Sequence, residues 1–348
     1  MKKAILFGSK AVISAALFWF VLRHIDVAHD FEQIQRASAA LLIAATLLCV
    51  IAVCLQAWRW QLILEIGGKT YALTRLISHT FTGMFFNQAL PSSVGGDAIR
   101  VWLILRDGAP PSLAIRSVLI ERGLGLLALI ALSSLGLPTF VRALGLPPLA
   151  TWGLELGVLA GLALTVVALR FLQRSEWLAR FRLGRGIRAM AIDTLTLLGE
   201  PWKATAFVLV VLLGQFLGCA AVWLLASAIG RPIALIDTLI VLPTVFLLVA
   251  LPISIAGWGV REGAMLVGLG QLAVPASDAV LISILFGLIH LAIGLAAGAI
   301  WATTRQRGPS MLAGAVGIER RFAANRDRFS PGNATLEGNK SEQPDLIK

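Results

Sequence analysis

A chain of 348 residues that is 57% hydrophobic and 14% charged, with mean hydropathy +0.83, cannot fold as a water-soluble globule. Its net charge of +11 sits in short loops and a tail, the pattern of loops retained in the cytoplasm and not of a nucleic-acid-binding face. Cys49, Cys54 and Cys219 all lie inside apolar runs, which excludes a disulfide framework or a cysteine metal site.

The first apolar run, 4–22, follows Lys2 and Lys3. No small-residue cleavage site follows Leu22, so an uncleaved span is expected rather than a signal peptide. Further spans are predicted at 37–57, 117–137, 151–171, 204–229 and 279–302, each near the ~20 residues that cross hydrocarbon. The apolar stretches 77–90, 239–251 and 263–274 are too short to cross alone at a rise of about 1.5 Å per residue.

Loop charge sets the orientation. The 23–36 loop carries Asp26, Asp30 and Glu32 against two arginines and belongs outside. The 170–203 loop, with Arg170, Arg174, Arg180, Arg182, Arg185, Arg188 and Lys203, belongs inside, as does the tail after Trp301. Six crossings with both termini cytoplasmic satisfy all three loops. The count requires 77–98 and 239–274 to be re-entrant, the first entering from the cytoplasm and the second from outside.

"LPSSVGGDAIR", from Leu90 to Arg100, matches "LPISIAGWGVR", from Leu251 to Arg261, without a gap. Upstream, "WQLILEIG" (60–67) matches "WLLASAIG" (223–230). The span before each motif runs in opposite directions, which predicts an inverted repeat, one copy over 37–137 and the other over 204–302. The fold expected is all-α and polytopic, with six crossing helices and two opposed re-entrant elements.

Pro91, Pro252 and the glycines Gly95, Gly96, Gly257, Gly259 and Gly263 break the helices. Such breaks survive at membrane depth only where protein or a wet cavity satisfies the freed backbone. The two breaks are therefore expected to face each other and frame a polar site.

The runs "FFNQALPSSVGGDAIRVWLILRDG", "SVLIERGLGLLAL" and "LPISIAGWGVREGA" resemble the family of the lysylphosphatidylglycerol synthase transmembrane region, with its free-standing flippase-like and hopanoid-associated members. The resemblance spans about residues 5–305 and implies lipid movement across a bacterial inner membrane. It divides the chain into an integral membrane domain, 1–304, and a basic, then disordered, cytoplasmic tail, 305–348. The tail stands where the synthases carry an aminoacyl-transfer domain, so synthase activity is not expected. The family's motif positions fall on Asn87, Pro91, Gly95, Gly96, Asp97 and Arg100, on Glu121 and Arg122, and on Gly257, Gly259, Arg261, Glu262 and Gly263.

Read from their own chemistry, Asp97 and Arg100 share a helix face and either pair with each other or bind a lipid phosphate. Arginine suits phosphate because its planar fork meets two oxygens at once. Arg261-Glu262 repeats the logic, with Trp258 where the first motif has Asp97. Arg122 either snorkels to the surface or joins the site, and Glu121, beside Gly123 and Gly125, is expected to face it. Asn87, next to Gln88, satisfies the broken backbone or binds a head group. His79, His290 and Gln215 are expected as packed residues. Tryptophans 19, 58, 60, 152, 177, 202 and 301 are expected as an interfacial belt.

No nucleophile elbow, P-loop, dinucleotide fingerprint or metal-spaced histidine pair occurs. A translocase of phosphate-bearing lipids is expected, without catalytic residues, metal or cofactor. Its expected partners are anionic lipids and a lipid-synthesis enzyme. A lipid-phosphate transferase using His24, Asp26, His29 and Asp30, or a non-transporting accessory of hopanoid or envelope-lipid synthesis, are the alternatives.

Overall fold

In hydrocarbon a backbone must satisfy its own polar groups, and a continuous helix does so within one segment. Among the described residues every regular element is helical. The computed structural model describes residues 33–89, 95–143, 145–250 and 259–305. The expected first span, the His24–Asp30 cluster, Pro91, Pro252, Gly257 and the tail beyond 305 lie outside the described residues. The chain forms a unit Met1–Ala299 and a second, Ile300–Lys348, of which only the end of the last helix is described.

The helices are α1 (Ala39–Ile66), α2 (Leu73–Ala89), α3 (Gly95–Arg106), α4 (Pro111–Ser133), α5 (Leu137–Ala143), α6 (Pro148–Arg174), α7 (Glu176–Ala179), α8 (Arg182–Gly199), α9 (Pro201–Ala228), α10 (Leu235–Ala250), α11 (Val260–Gly270) and α12 (Ala276–Arg305). Five stretches are long and apolar enough to cross a membrane: Ala39–Ile66, Pro111–Arg142, Leu149–Arg174, Pro201–Ala228 and Ala276–Thr303. They coincide with the expected spans from 37–57 onward, so the protein is a multi-pass membrane protein. A single 3-10 turn, Ser134–Gly136, joins α4 to α5. There a Cβ on Gly136 would lie 2.6 Å from the carbonyl oxygen of Ile240 in α10.

Four of the short helices pack as two pairs, α2 on α3 and α10 on α11. At 17, 12, 16 and 11 residues, none reaches the ~20 needed to span. α1 and α9 pack along each other, and buried Ala45 and Cys49 of α1 join Cys219, Val222 and Leu225 of α9 in the main core. α6 differs: no residue in its apolar window is buried, so it faces outward along its length.

Element order recurs. At the end of α1 the N–H groups of Gly67, Gly68 and Lys69 donate to the carbonyls of Ile63, Glu65 and Leu64. At the end of α9 those of Ile229, Gly230 and Arg231 donate to Leu225, Ser227 and Ala226, each 162 residues on (67 to 229). Gly68 and Gly230 both take the left-handed conformation, φ 81° and 78°, that ends helices this way. Gly68, not Gly67, is thus the counterpart of Gly230, one residue away from the letter-by-letter match.

The second pair of caps corrects the motif register as well. Gly108 and Ala109 donate to Leu105 and Ile104, and Ala273 and Val274 donate to Gly270 and Leu269, 165 residues on (108 to 273). By this register the helices start together, Gly95 with Val260, and Asp97 corresponds to Glu262. The ungapped alignment, which places Trp258 against Asp97, is off by four residues, about one helical turn. Each short helix pair therefore keeps an acid as the third residue of its second helix.

Candidate functional site

Two bare backbones let α2 and α3 touch. A Cβ on Gly96 would fall 2.1 Å from the carbonyl oxygen of Gly83, a distance no side chain tolerates. In that gap the Gly96 N–H, one of the first-turn donors a helix leaves unbonded, donates to Asn87 Oδ1 at 2.7 Å. Asn87 thus fastens the two helices while also lining the adjacent cavity.

From this junction a charge ladder runs across three helices. Arg59 of α1 donates through Nη2 to Glu121 Oε1 of α4 at 2.7 Å. Arg100 of α3 donates through Nη1 to Glu121 Oε2 at 3.1 Å and stands 3.6 Å from Asp97 Oδ1. Arg122 Nε closes the row on Asp97 Oδ2. Arg100 and Glu121 are each only 2% exposed. Alternating signs are what makes this burial tolerable, since an isolated charge at such depth is costly.

The Arg100 guanidinium also lies 4.3 Å over the Trp60 ring, whose Nε1–H donates to Ser117 Oγ at 3.0 Å. A desolvated cation on an indole face contributes about 2 kcal/mol. Trp60 is fully buried, so it is a floor for the ladder and not part of the interfacial belt expected of it. Trp152, Trp177 and Trp202 are exposed, as a belt requires.

Against the ladder opens a cavity of about 280 Å³, walled by Arg59, Asp97, Arg100 and Arg122 with Asn87 and His290. Arg100 Nε and Nη2 and Arg59 Nε have no hydrogen-bond partner. Buried N–H groups left this way cost about 1–3 kcal/mol each, which an incoming acceptor would recover. His290, expected as packed, donates from Nδ1 to the Phe286 carbonyl at 2.8 Å and also lines the cavity, as does Gln215. His79 meets Asp107 Oδ2 at 2.7 Å, away from the cavity wall.

Arg261 and Glu262 occupy a different setting. Glu262 Oε1 accepts from Arg261 Nη2 at 2.5 Å and Nε at 3.0 Å, and Oε2 accepts the Gly259 N–H at 2.5 Å. The Arg261 guanidinium fills the space beside Gly287, where a Cβ would lie 2.1 Å from Nη2. Both residues are buried and neither lines the cavity. Gly259 takes φ 84°, while Gly263 has open space where a side chain would be. The geometry therefore gathers Asn87, Asp97, Arg100, Glu121 and Arg122 and leaves Arg261 and Glu262 away from that cavity. Among the described residues no group of three His, Cys, Asp or Glu side chains is placed to hold a metal.

A family model, the lysylphosphatidylglycerol synthase TM region, matches residues 9–298. The chain belongs to that family. No curated protein matches it. Of the expected motif positions, Asn87, Asp97, Arg100, Glu121 and Arg122 converge at the ladder and its cavity. Arg59, Gln56 and Trp60, which the motif does not include, complete it from α1. Arg59 was legible only as a basic residue past the end of a span, yet the helix runs on to Ile66.

Proposed function

We propose that the protein is a lipid translocase of the bacterial inner membrane, in which a phosphate-bearing head group enters the cavity while the apolar tails stay in the bilayer. The observation that carries this reading is Arg100, buried on the cavity wall with two N–H groups unanswered. A phosphate offers oxygens in the pattern that a guanidinium fork accepts. Moving such a head group through bare hydrocarbon costs several kcal/mol or more, and a wet, charge-lined cavity lowers that barrier.

A path for the tails supports the reading. An apolar groove of about 410 Å³ runs between α4 and α9, with Leu124, Leu132, Phe207 and Leu212 on its walls. A second apolar recess shares Leu132, Leu135 and Leu212 with it and reaches Gln215, which also lines the polar cavity. Head and tails would lie in adjoining compartments of opposite polarity.

In this reading the recurring elements are an inverted repeat. α2–α3 and α10–α11 enter as re-entrant pairs from opposite faces, and both termini are cytoplasmic. Its partners are lipids with anionic heads and the enzyme that makes them. The test is leaflet exchange of labelled phospholipids in proteoliposomes. Arg100→Ala should slow exchange at least tenfold, while Leu159→Ala, on the outward-facing α6, should leave it unchanged. Equal exchange by wild type and Arg100→Ala would overturn the proposal.

A further inference from the structure

We infer that the segment joining α6 to α9 is a membrane-surface anchor that binds lipids with anionic head groups, independently of any lipid in the cavity. Within this segment α8 carries three arginines in its first seven residues and is not apolar enough to cross a membrane. The ends it joins, Arg174 of α6 and Pro201 of α9, therefore open on the same membrane face.

Leu183, Ile187, Met190 and Thr194 follow one another at intervals of four, three and four, so they share one side of α8. In the second half of the helix protein covers that side. Ala191, Thr194 and Leu197 are buried there, and Asp193 Oδ2 accepts from Arg116 Nε of α4 at 2.5 Å. This clamp fixes which way the first half faces, and there the apolar side is bare. Leu183 is 77% exposed, and Trp177 and Phe181, just before it in the chain and in edge contact at 5.2 Å, are exposed as well. Water disfavours such a patch, whereas the boundary of the hydrocarbon accepts it.

Arg182, Arg185 and Arg188 step by three around the opposite side. The bend that brings them near the end of α6 is tightly built. A Cβ on Gly184 would lie 2.2 Å from the Leu178 carbonyl oxygen, Arg185 Nη1 donates to the Ala179 carbonyl at 3.2 Å, and Arg188 Nε donates to the Gln173 carbonyl at 2.9 Å. From 174 to 188 five arginines stand against one acid, Glu176. A helix with one apolar side and guanidiniums on the other lies in the membrane interface, where the cations draw anionic phosphate-bearing heads. A second copy docked symmetrically on the same patch would bring these arginines against one another, so charge favours the leaflet as the occupant.

The test uses the full-length protein in nanodiscs of phosphatidylcholine and phosphatidylglycerol in equal amounts. The photo-crosslinker p-benzoylphenylalanine is placed at Leu183 or, for comparison, at Leu159 on the outward-facing α6, and the adducts are identified by mass spectrometry. Both positions should capture lipid. Phosphatidylglycerol should exceed phosphatidylcholine at least about fivefold at Leu183 and less than about twofold at Leu159. Arg180→Gln combined with Arg182→Gln should bring the Leu183 ratio below about twofold, and Arg180→Lys with Arg182→Lys should preserve it, because both substitutions act through charge. Raised salt should lower the ratio in the unsubstituted protein, a readout that does not depend on any arginine variant folding. Equal capture of the two lipids at Leu183, or a ratio indifferent to salt and to both Gln substitutions, overturns the anchor. So does capture of a second protein chain in place of lipid, which would make the patch an interface between copies.

Discussion

Glu121 is bonded by two guanidiniums, whereas Arg100 is one of two cations on each of its acids. That inequality predicts different costs of removal. Glu121→Ala strands Arg59 and leaves Arg100 only Asp97, 3.6 Å away, in a buried site, and should lower stability by about 3–5 kcal/mol. Arg100→Met leaves Glu121 with Arg59 and Asp97 with Arg122, and should cost less than half as much. Reversible unfolding in mixed micelles measures both. A larger loss for Arg100→Met would show that the ladder is not held through its acids. The sequence made Asp97, Arg100 and Glu121 legible through their charge within apolar runs. It hid Arg59, because pairing across helices leaves no periodic trace, and hydropathy ends the 37–57 span just before that charge.

At the scale of the helices, close approach sets the geometry and glycine sets the approach. Gly96→Ala would drive a methyl into the Gly83 carbonyl and part α2 from α3, costing about 1–3 kcal/mol or more. Gly294→Ala, whose nearest neighbour would be Gln88 Cγ at 3.5 Å, should be tolerated within about 0.5 kcal/mol. Ala273 holds φ 57° where its counterpart Gly108 holds 88°. A left-handed alanine costs about 1–2 kcal/mol, so Ala273→Gly should stabilise by roughly 1 kcal/mol, read as a raised unfolding midpoint. The same caps explain why the repeat was legible and its register was not. Matching letters align Arg100 with Arg261, whereas the hydrogen bonds that end each helix align Asp97 with Glu262. Identity of side chains records what a site needs; cap geometry records where the backbone stands.

For the whole molecule, the five long apolar stretches were legible because each is a run of hydrophobic residues that needs no partner to be recognised. The convergence of α1, α2, α3 and α4 on one cavity was not legible, since contacts between helices distant in sequence follow from packing alone. The proposed inversion makes a prediction at this scale. Single cysteines introduced at 92–97 and at 253–258 should react with an impermeant reagent from opposite sides of the membrane. Reaction from one side only would remove the inversion.

Gly287 carries no side chain and lies outside every motif, yet the space a side chain would fill holds the guanidinium of Arg261. One methyl added there evicts a cation and strips Glu262 of its partner. In a substitution scan of the last helix, this plain position should therefore score like an ionised one. Damage at Gly287 ought to mimic loss of Arg261 itself, turning a steric change into an electrical one.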